Sequence, residues 1–592
     1  MDPDLVPESR AGRLGAVLWF WIATALLTGF LHGMELLVSR ATGHLVWFSR
    51  EFAWMSPIAY ALIMAPGAAA LAALVGLVRR PWALSFSAAA FVIVGVFGLM
   101  LPYSQVWRLT SLILAAGFGA VAARAVNAKP GVWIKRSRTI ALGSLAAMGI
   151  IAGGQRLFFT ARESVAVGSL PEPDASSTNV LIIILDTVRA ASLSLYGNPR
   201  QTTPRLEDWS RSGVVFDWAF SPAPWTLPSH GSMFTGARAG EQSGDWETPL
   251  DRSLPTLAER FRDRGYLTAG FVANMHYTAW DSGLPRGFSH YEDYKLSWGQ
   301  FLRSSSYTQT ALYHQLTNAE SLADAARLFL NPNLSIDPKH SFDLKHGDQV
   351  TEAFLNWHDA NRNRPFFAFL NYFDGHLPYY SPTGFRKFSG PPALASYYAA
   401  ISFLDAEIDR ILLALRERGV LDRTLVVVTS DHGELFAFKG LSGHAHNLYI
   451  NTIRVPLFMR LPGRVPEGQR LAGAVSLRDL AATVLDLAAP GAPSLPGVSL
   501  AAAWSEAGAP SPVIAEVNKA PNIPSYYPTA RGDMRMFLDD RWQLIQNGDD
   551  RLELYDYRSD SLQEHDLAAS DSATTLLAGM RQRLLDLLRQ PR

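Results

Sequence analysis

The 592-residue chain contains no cysteine. That excludes disulfides, thiolate metal sites, iron–sulfur clusters and a catalytic thiol. It also excludes an aldehyde residue made by oxidising a cysteine. Net charge is missing too: 53 Lys+Arg face 53 Asp+Glu, so composition gives no reason to expect a nucleic-acid partner. Charged residues are scarce, at 18% of the chain, against roughly 25% in ordinary soluble proteins. Neither an internal repeat nor a low-complexity tract is present. At about 150 residues per domain, the length predicts several structural units.

The scarcity of charge is concentrated at one end. Residues 1–160 carry five acids (Asp2, Asp4, Glu8, Glu35, Glu51) and thirteen bases, a net of +8. The remaining 432 residues carry 48 acids and 40 bases, a net of −8. Uncharged runs of 21, 27 and 27 residues lie between Arg13 and Glu35, Glu51 and Arg79, and Arg80 and Arg108. Each is long enough for a membrane-spanning helix, which needs about 20 apolar residues. Two shorter runs, 15 residues after Arg108 and 17 after Arg138, reach that length if flanking arginines snorkel. Five spans are therefore expected, over approximately 14–37, 55–78, 82–104, 106–124 and 138–156.

Basic residues near the ends of these runs set the orientation. One side collects Arg10, Arg13, Arg79, Arg80, Arg124, Lys129, Lys135, Arg136 and Arg138; the other has Arg40, Arg50, Arg108, Arg156 and Arg162. The positive-inside bias puts the N-terminus in the cytoplasm and everything after Arg156 outside. The expectation is a multi-pass protein of the cell (inner or plasma) membrane, its large domain periplasmic or extracytoplasmic. Four spans instead of five would reverse that side.

The expected domains are a transmembrane unit over 1–157, a linker over 158–178, a catalytic domain over 179–510 and a small C-terminal α+β subdomain over 511–592. NVLIIILD (179–186) opens the soluble part with an apolar, β-branched run, the pattern of a strand buried on both faces of a parallel sheet. PFFAFLNYF (365–373) and RTLVVVTSD (423–431) repeat it, and helical patterns such as ASYYAAISFLDAEIDRILLALRERG (395–419) lie between. The fold class is an N-terminal helical bundle followed by an α/β domain with ligands at the carboxyl ends of its strands. Residues 300–345 have weaker periodicity and are expected to form an insertion near the site.

Polar residues fall at those strand ends. Asp186 follows VLIIIL, and Asp431–His432 follow TLVVVTS. One such carboxylate is usually a helix cap, whereas two with an imidazole make a metal cluster. These donors suit zinc, manganese or magnesium, with calcium also admitted and zinc or manganese favoured; one divalent ion is expected. In PWTLPSHGSMFTG (224–236) a short helix opening at SHG would attract an anion. Thr226, just before it, reads either as an N-cap or as a metal-activated nucleophile. His376 follows the strand ending in NYF, and His444 and His446 lie in SGHAHNLY.

NVLIIILDTVRAASLSLYG, SPAPWTLPSHGSMFTG, FFAFLNYFDGHLPY, YAAISFLDAEIDRIL, TLVVVTSDHGEL and GHAHNLYINTIRVPLFM, in that order, resemble the sulfatase family of the alkaline phosphatase superfamily. The likeness runs from about 179 to 590 and includes the closing DDRWQLIQNGDDRLELYDYRSDSLQEHDLA, which looks like the family's small C-terminal subdomain. It implies Asp186, Thr226, Asp431 and His432 as metal ligands, Thr226 as nucleophile, and His376, His444 and His230 as substrate-binding positions. Asp374 with His376 and His444 would be a possible second metal site. The chain departs from the family where Thr226 replaces Cys or Ser, His230 replaces the motif's Arg, and Thr187 replaces a second Asp; FAFKG (436–440) stands where relatives often have Gly-Glu-His-Gly.

A threonine nucleophile after a block of helices is similar to membrane phosphoethanolamine transferases and the lipoteichoic acid synthase group, whose first ligand is usually Glu rather than Asp. Asp186-Thr-x-Arg is closer in wording to membrane-attached sulfatases of unassigned substrate. The resemblance implies cleavage of a phospho- or sulfo-ester of a membrane lipid or envelope glycan, with head-group transfer to an envelope glycan or lipid as the first reading. Hydrolysis to water and a non-catalytic membrane binding protein are the alternatives. The sequence leaves the oligomeric state open.

Overall fold

The computed structural model describes residues 9–589, apart from 79, 81, 104–105, 175, 295, 310–344, 505–511 and 522. The chain forms two compact units, one of Met1–Ser164 with Tyr294–Leu344 and one of Val165–Asp293 with Lys345–Arg592.

Five helices build the first unit: α1 (Arg10–Ala41), α2 (Phe52–Leu77), α3 (Trp82–Met100), α4 (Arg108–Ala128) and α5 (Pro130–Gly168). All five are long and apolar enough to cross a membrane. Their apolar surface is not confined to a core-facing stripe. Leu31, Ile113, Phe118 and Ile150 are exposed, as expected of helices whose surroundings are hydrocarbon. A cluster around Ala16, Phe20, Leu84, Phe91 and Val126 joins the helices. Two expectations are corrected here. The fourth and fifth helices extend beyond the charge-free runs, because arginine and lysine stems are accommodated within a helix. The stretch 158–168, expected to be linker, is instead the end of α5.

The remainder of the first unit comes from far along the chain. Residues 300–345 were expected near the catalytic site. Instead a short helix, Trp298–Arg303, and a turn, Ser306–Gln309, pack against α2 and α3, and 310–344 lie outside the described residues.

The second unit is built on a nine-stranded sheet of β1 (Asn179–Leu185), β2 (Val214–Phe220), β3 (Leu267–Val272), β4 (His290–Glu292), β5 (Phe366–Tyr372), β6 (Thr424–Thr429), β9 (Arg454–Val455), β10 (Leu457–Arg460) and β11 (Gln469–Ser476). Its order is β11-β2-β10-β6-β1-β5-β3-β4, with β9 beside β2. The sheet is mixed. β1 pairs in parallel with β5 and β6 in the registers Ile184↔Asn371 and Ile184↔Thr429, whereas β10 runs antiparallel to β6 and β2. All seven residues of β1 are buried, which is why its sequence shows an unbroken apolar run.

The helix Pro392–Glu417 buries Tyr397, Ile401, Leu404 and Ile408, and the helix Leu480–Ala488 adds Leu480, Val484 and Leu485 to the core. A two-stranded ribbon, β7 (Leu435–Phe438) and β8 (Leu441–Gly443), follows β6. The C-terminal subdomain is an antiparallel sheet in the order β12 (Val513–Val517), β13 (Met534–Leu538), β14 (Trp542–Gln546), β15 (Leu552–Asp556). The helix Thr574–Arg589 covers it through Met580 and Leu584.

Candidate active site

Four adjacent parallel strands, β3, β5, β1 and β6, deliver polar residues at their carboxyl ends: Asn274, Asn371 with His376, Asp186, and Asp431 with His432. The closeness follows from the parallel pairing, because successive strands all end on one edge of the sheet. Gly433 permits the turn after β6. A Cβ there would lie 2.2 Å from the Asn451 carbonyl oxygen, so no larger residue fits.

Asp186, Asp431 and His432 are fully buried, and one potential ligand atom from each lies within 4.8 Å of the others. Asp186 Oδ2 accepts from Asn274 Nδ2 at 2.8 Å and from Asn371 Nδ2 at 3.3 Å. Asp431 Oδ1 accepts from the backbone N–H of His432 at 2.9 Å and of Thr187 at 3.2 Å. The second oxygen of each carboxylate, Asp186 Oδ1 and Asp431 Oδ2, is buried with no hydrogen-bond partner. His432 Nδ1–H donates to the Gly433 carbonyl, which leaves the Nε2 lone pair 3.3 Å from Asp431 Oδ2.

Two carboxylates this close repel by about 3 kcal/mol at an effective dielectric of about 20. Burial raises the pKa of Asp186. Burial and then the Asp186 charge raise that of Asp431 well above the ordinary 3.8. Burial, then His444, pushes His432 well below its ordinary value. A neutral imidazole facing two orphaned carboxylate oxygens is a donor set for a divalent cation. The residues present therefore fit one such ion.

Thr226 is the first residue of the helix Thr226–Thr235, which opens three positions before the expected start at Ser229. Its hydroxyl lies 3.4 Å from His432 Nε2 and 3.2 Å from Asn274 Nδ2. Ser229, one turn on, ties the helix to the cluster through a 2.7 Å bond to the Asp431 carbonyl. His230, expected beside the substrate, is instead fully enclosed. Its Nδ1 meets the Thr226 carbonyl at 2.9 Å and lies 3.7 Å from Asp431 Oδ2. Burial lowers its pKa to about 4, so at neutral pH it brings no charge where the family motif has arginine.

Thr187 occupies the left-handed region, φ 61°, which is unusual for a β-branched residue. Its hydroxyl donates to the Gly375 carbonyl at 2.7 Å, and Tyr397 O–H donates to the Thr187 carbonyl at 2.7 Å. The residue that replaces a second aspartate is thus turned away from the cluster and clasps the β5 loop.

A cavity of about 240 Å³ opens over Thr226. Its walls include Trp225, Trp246, Tyr277, Phe373, Asn274, His276, His376 and His444, and its lining contains no lysine or arginine among the described residues. Trp225 and Trp246 are stacked at 4.3 Å and 5°. His376 stacks on Phe373 at 4.2 Å and meets His444 edge-on at 5.0 Å. His444 Nδ1 pairs with the buried Glu434 at 3.2 Å, so its Nε2 is the nitrogen left for a ligand. Burial opposes protonation of His444, but the Glu434 carboxylate outweighs it and the pKa is raised.

Asp374 does not join His376 and His444 as a second metal site. It is buried 3.3 Å from His346 Nδ1, at the start of the helix Gly347–Ala360. Three residues around the cluster are not singled out by the sequence motifs: Asn274, Asn371 and Glu434. Asn274 was within reach, because it stands just past a strand end, in VAN, like Asp186 and Asp431.

Comparison with known proteins identifies the family. The sulfatase family model matches residues 178–490, just over half of the chain. The chain belongs to the sulfatase family. This sulfatase is similar to the uncharacterized sulfatase YidJ of Escherichia coli (strain K12), 24% identical over 453 residues that cover 69% of this chain and 86% of that protein. It is similar to arylsulfatase A of Homo sapiens, 28% identical over 385 residues, 60% of this chain and 73% of that one. The phosphonate monoester hydrolase of Agrobacterium radiobacter shares its fold, with a TM-score of 0.55, 20% identity, and coverage of 69% and 95% of the two chains. The sulfatase is thus an enzyme of the sulfatase/alkaline phosphatase superfamily, a metal-dependent family, with an acidic cluster able to hold the ion.

Proposed function

We propose that this sulfatase-family protein is a membrane enzyme that cleaves a phosphodiester, taking the head group of a phospholipid onto Thr226 and passing it to an envelope glycan or lipid. The observation that carries the reading is the position of the Thr226 hydroxyl, between His432 Nε2 and Asn274 Nδ2 at the floor of the cavity. One divalent ion would be held by Asp186, Asp431, His432 and Thr226, and when bound it would lower the pKa of the threonine hydroxyl and offset the two carboxylate charges.

The rest of the chemistry falls to the chain. The helix start and the Asn274 amide orient Thr226 Oγ1 toward the cavity, where it attacks phosphorus in line with the leaving oxygen. The bond from Thr226 Oγ1 to phosphorus forms as the bond to the lipid oxygen breaks. The threonine hydroxyl proton passes to solvent, and the lipid oxygen gains one from Nε2 of protonated His444, which is left neutral. An acceptor hydroxyl then gives its proton to His444 as its oxygen bonds phosphorus, and the bond from phosphorus to Thr226 Oγ1 breaks, the threonine regaining a proton from solvent; water in place of the acceptor gives hydrolysis.

Charge supports a diester. With a divalent ion offsetting Asp186 and Asp431, and with neutral His230 where the motif has arginine, no permanent cation remains in the lining among the described residues for a dianionic monoester. A phosphodiester or a sulfate monoester carries one negative charge and suits that balance. The aromatic walls, Trp225, Trp246, Tyr277 and Phe373, offer apolar surface to the group attached to phosphorus. The five spans and the positive-inside bias support a catalytic unit on the extracytoplasmic side of the cell membrane.

The test is mass spectrometry of purified protein after incubation with phospholipid vesicles. A Thr226 peptide heavier by the phospho-head group, with diacylglycerol released, is expected. Diacylglycerol release with Thr226 never modified, even on rapid quenching, would overturn the nucleophile. Release of the free head group at the same rate with and without acceptor would assign hydrolysis.

A further inference from the structure

Residues 294–309 lie between β4 and the helix Gly347–Ala360 of the catalytic unit, yet they belong to the helical unit. Their contacts there are specific. Phe301 meets Trp54 edge-on at 5.5 Å, at the third residue of α2. Ser306 O–H donates to the Gly98 carbonyl at 2.6 Å and accepts from Tyr60 O–H at 2.7 Å. Tyr307 O–H donates to the Val94 carbonyl, and its ring lies over Gly98, where a Cβ would come within 2.6 Å.

These positions have a depth. Tyr60 lies eight residues into α2 and Val94 six residues from the end of α3. At 1.5 Å per residue, Ser306 and Tyr307 reach roughly 10 Å past the helix ends. Irregular backbone at such depth is tolerated where protein encloses it, and Ser304, Ser305 and Ser306 are at most 1% exposed. The opposite face of the segment is apolar and bare, with Leu296 65% and Trp298 74% exposed. Both flank Ser297, whose hydroxyl caps the short helix by accepting from Gln300 N–H at 3.2 Å. An exposed tryptophan beside the first turn of a spanning helix sits where aromatic belts form.

We propose that residues 296–307 form a sixth membrane-contacting element, with its serines against α2 and α3 and with Leu296 and Trp298 immersed in the phospholipid head-group and upper acyl region. The inference rests on the reading of α1–α5 as membrane spans. The segment packs on α2 and α3, which themselves expose the apolar Leu62 and Val94 close to Tyr60 and Gly98, and this selects the bilayer as the occupant of its own exposed apolar residues. Hydropathy scanning passes over the segment because its buried side is hydroxyl-rich and it is too short to span. The catalytic unit is thereby tethered twice, through α5 and through this excursion. Lys345 Nζ, bonded to Glu292 at 2.8 Å, closes the base of the excursion.

Absence of cysteine makes the test direct. Nitroxide labels are placed on Trp298→Cys, on Ile113→Cys of α4, 65% exposed, and on Glu467→Cys, an exposed loop residue of the catalytic unit. The full-length protein is reconstituted in phosphatidylethanolamine/phosphatidylglycerol vesicles, and label accessibility to oxygen and to a water-soluble nickel chelate is measured. The oxygen-to-nickel ratio at 298 should exceed that at 467 several-fold, approaching the value at 113. A water-like label at 298 beside a lipid-like label at 113 overturns the inference and leaves the spans standing. Water-like labels at both positions overturn the spans, and the inference with them. Leu296→Cys, which keeps Trp298, gives the same reading if the first variant fails to fold.

Discussion

Thr226 Oγ1 and His432 Nε2 lie 3.4 Å apart although 206 residues separate them in the chain. The imidazole is held in the required tautomer by the Gly433 carbonyl, and the threonine is held by the start of its helix. Hydroxyl and imidazole are thus brought together by two independent backbone devices.

Replacing Thr226 by Ala should lower turnover of phosphodiester substrates at least about a thousandfold, and Thr226→Ser should retain most of it. Initial-rate kinetics on a bis(p-nitrophenyl) phosphate substrate, with thermal melting to show that both variants fold, checks this. Wild-type turnover by the alanine variant would remove Thr226 from the mechanism.

Asn274 donates to Asp186 Oδ2 and lies 3.2 Å from Thr226 Oγ1, so in the proposed site it would orient a ligand without being one. Asn274→Ala should weaken metal binding by about 10–100-fold, the usual cost of losing an outer-shell partner. Competitive chelator titration measures it. Unchanged affinity would mean that Asp186 is oriented by Asn371 alone.

Chelation should expose the carboxylate repulsion as a pH dependence of stability. In the metal-free protein the pKa values of Asp186 and Asp431 are raised, first by burial, so the folded state binds more protons than the unfolded one. Stability is then greatest below the ordinary value of 3.8 and is lost as pH rises above it. Metal should abolish that decline by making ionised carboxylates favourable. Melting curves with and without chelator, at a series of pH values, decide the matter. In chelator, Asp431→Asn should melt higher than wild type near neutral pH, because one buried charge is gone.

Glu434 should act through His444. Its carboxylate raises the pKa of that histidine against the opposing effect of burial, so Glu434→Gln should lower it. If His444 supplies the leaving-group proton, the alkaline limb of the rate profile moves to lower pH in the variant. A profile superimposable on wild type would leave Glu434 a packing residue. The effect should be larger on alkyl esters than on p-nitrophenyl esters, whose leaving groups need no proton.

Much of this site was legible because strand ends carry chemistry in parallel α/β sheets. The unbroken apolar runs at 179–185 and 424–429 located β1 and β6, and Asp186 and Asp431–His432 followed directly. Asn371, by contrast, lies within the apolar strand β5 and reads as an interruption. Its side-chain bonds to Asp186 and to the Asn274 N–H give it meaning. His230 and Asp374 have residue types and spacing suited to a substrate or metal site, yet burial against the Thr226 carbonyl and against His346 gives them other partners.

The sequence alone marked the five apolar helices, the charge asymmetry between the two parts of the chain, the order of the strands along the chain and, through its lack of cysteine, the exclusion of any thiol or thiol-derived nucleophile. Hydropathy and side-chain chemistry are local properties, so one dimension suffices for them. Tertiary structure decided which strand ends become neighbours, which carboxylate oxygens are left without partners, and which unit residues 294–309 join. Those outcomes depend on sheet order and long-range packing, which place Asp186 beside Asp431 and Ser306 beside Tyr60 across some 245 residues of chain in each case.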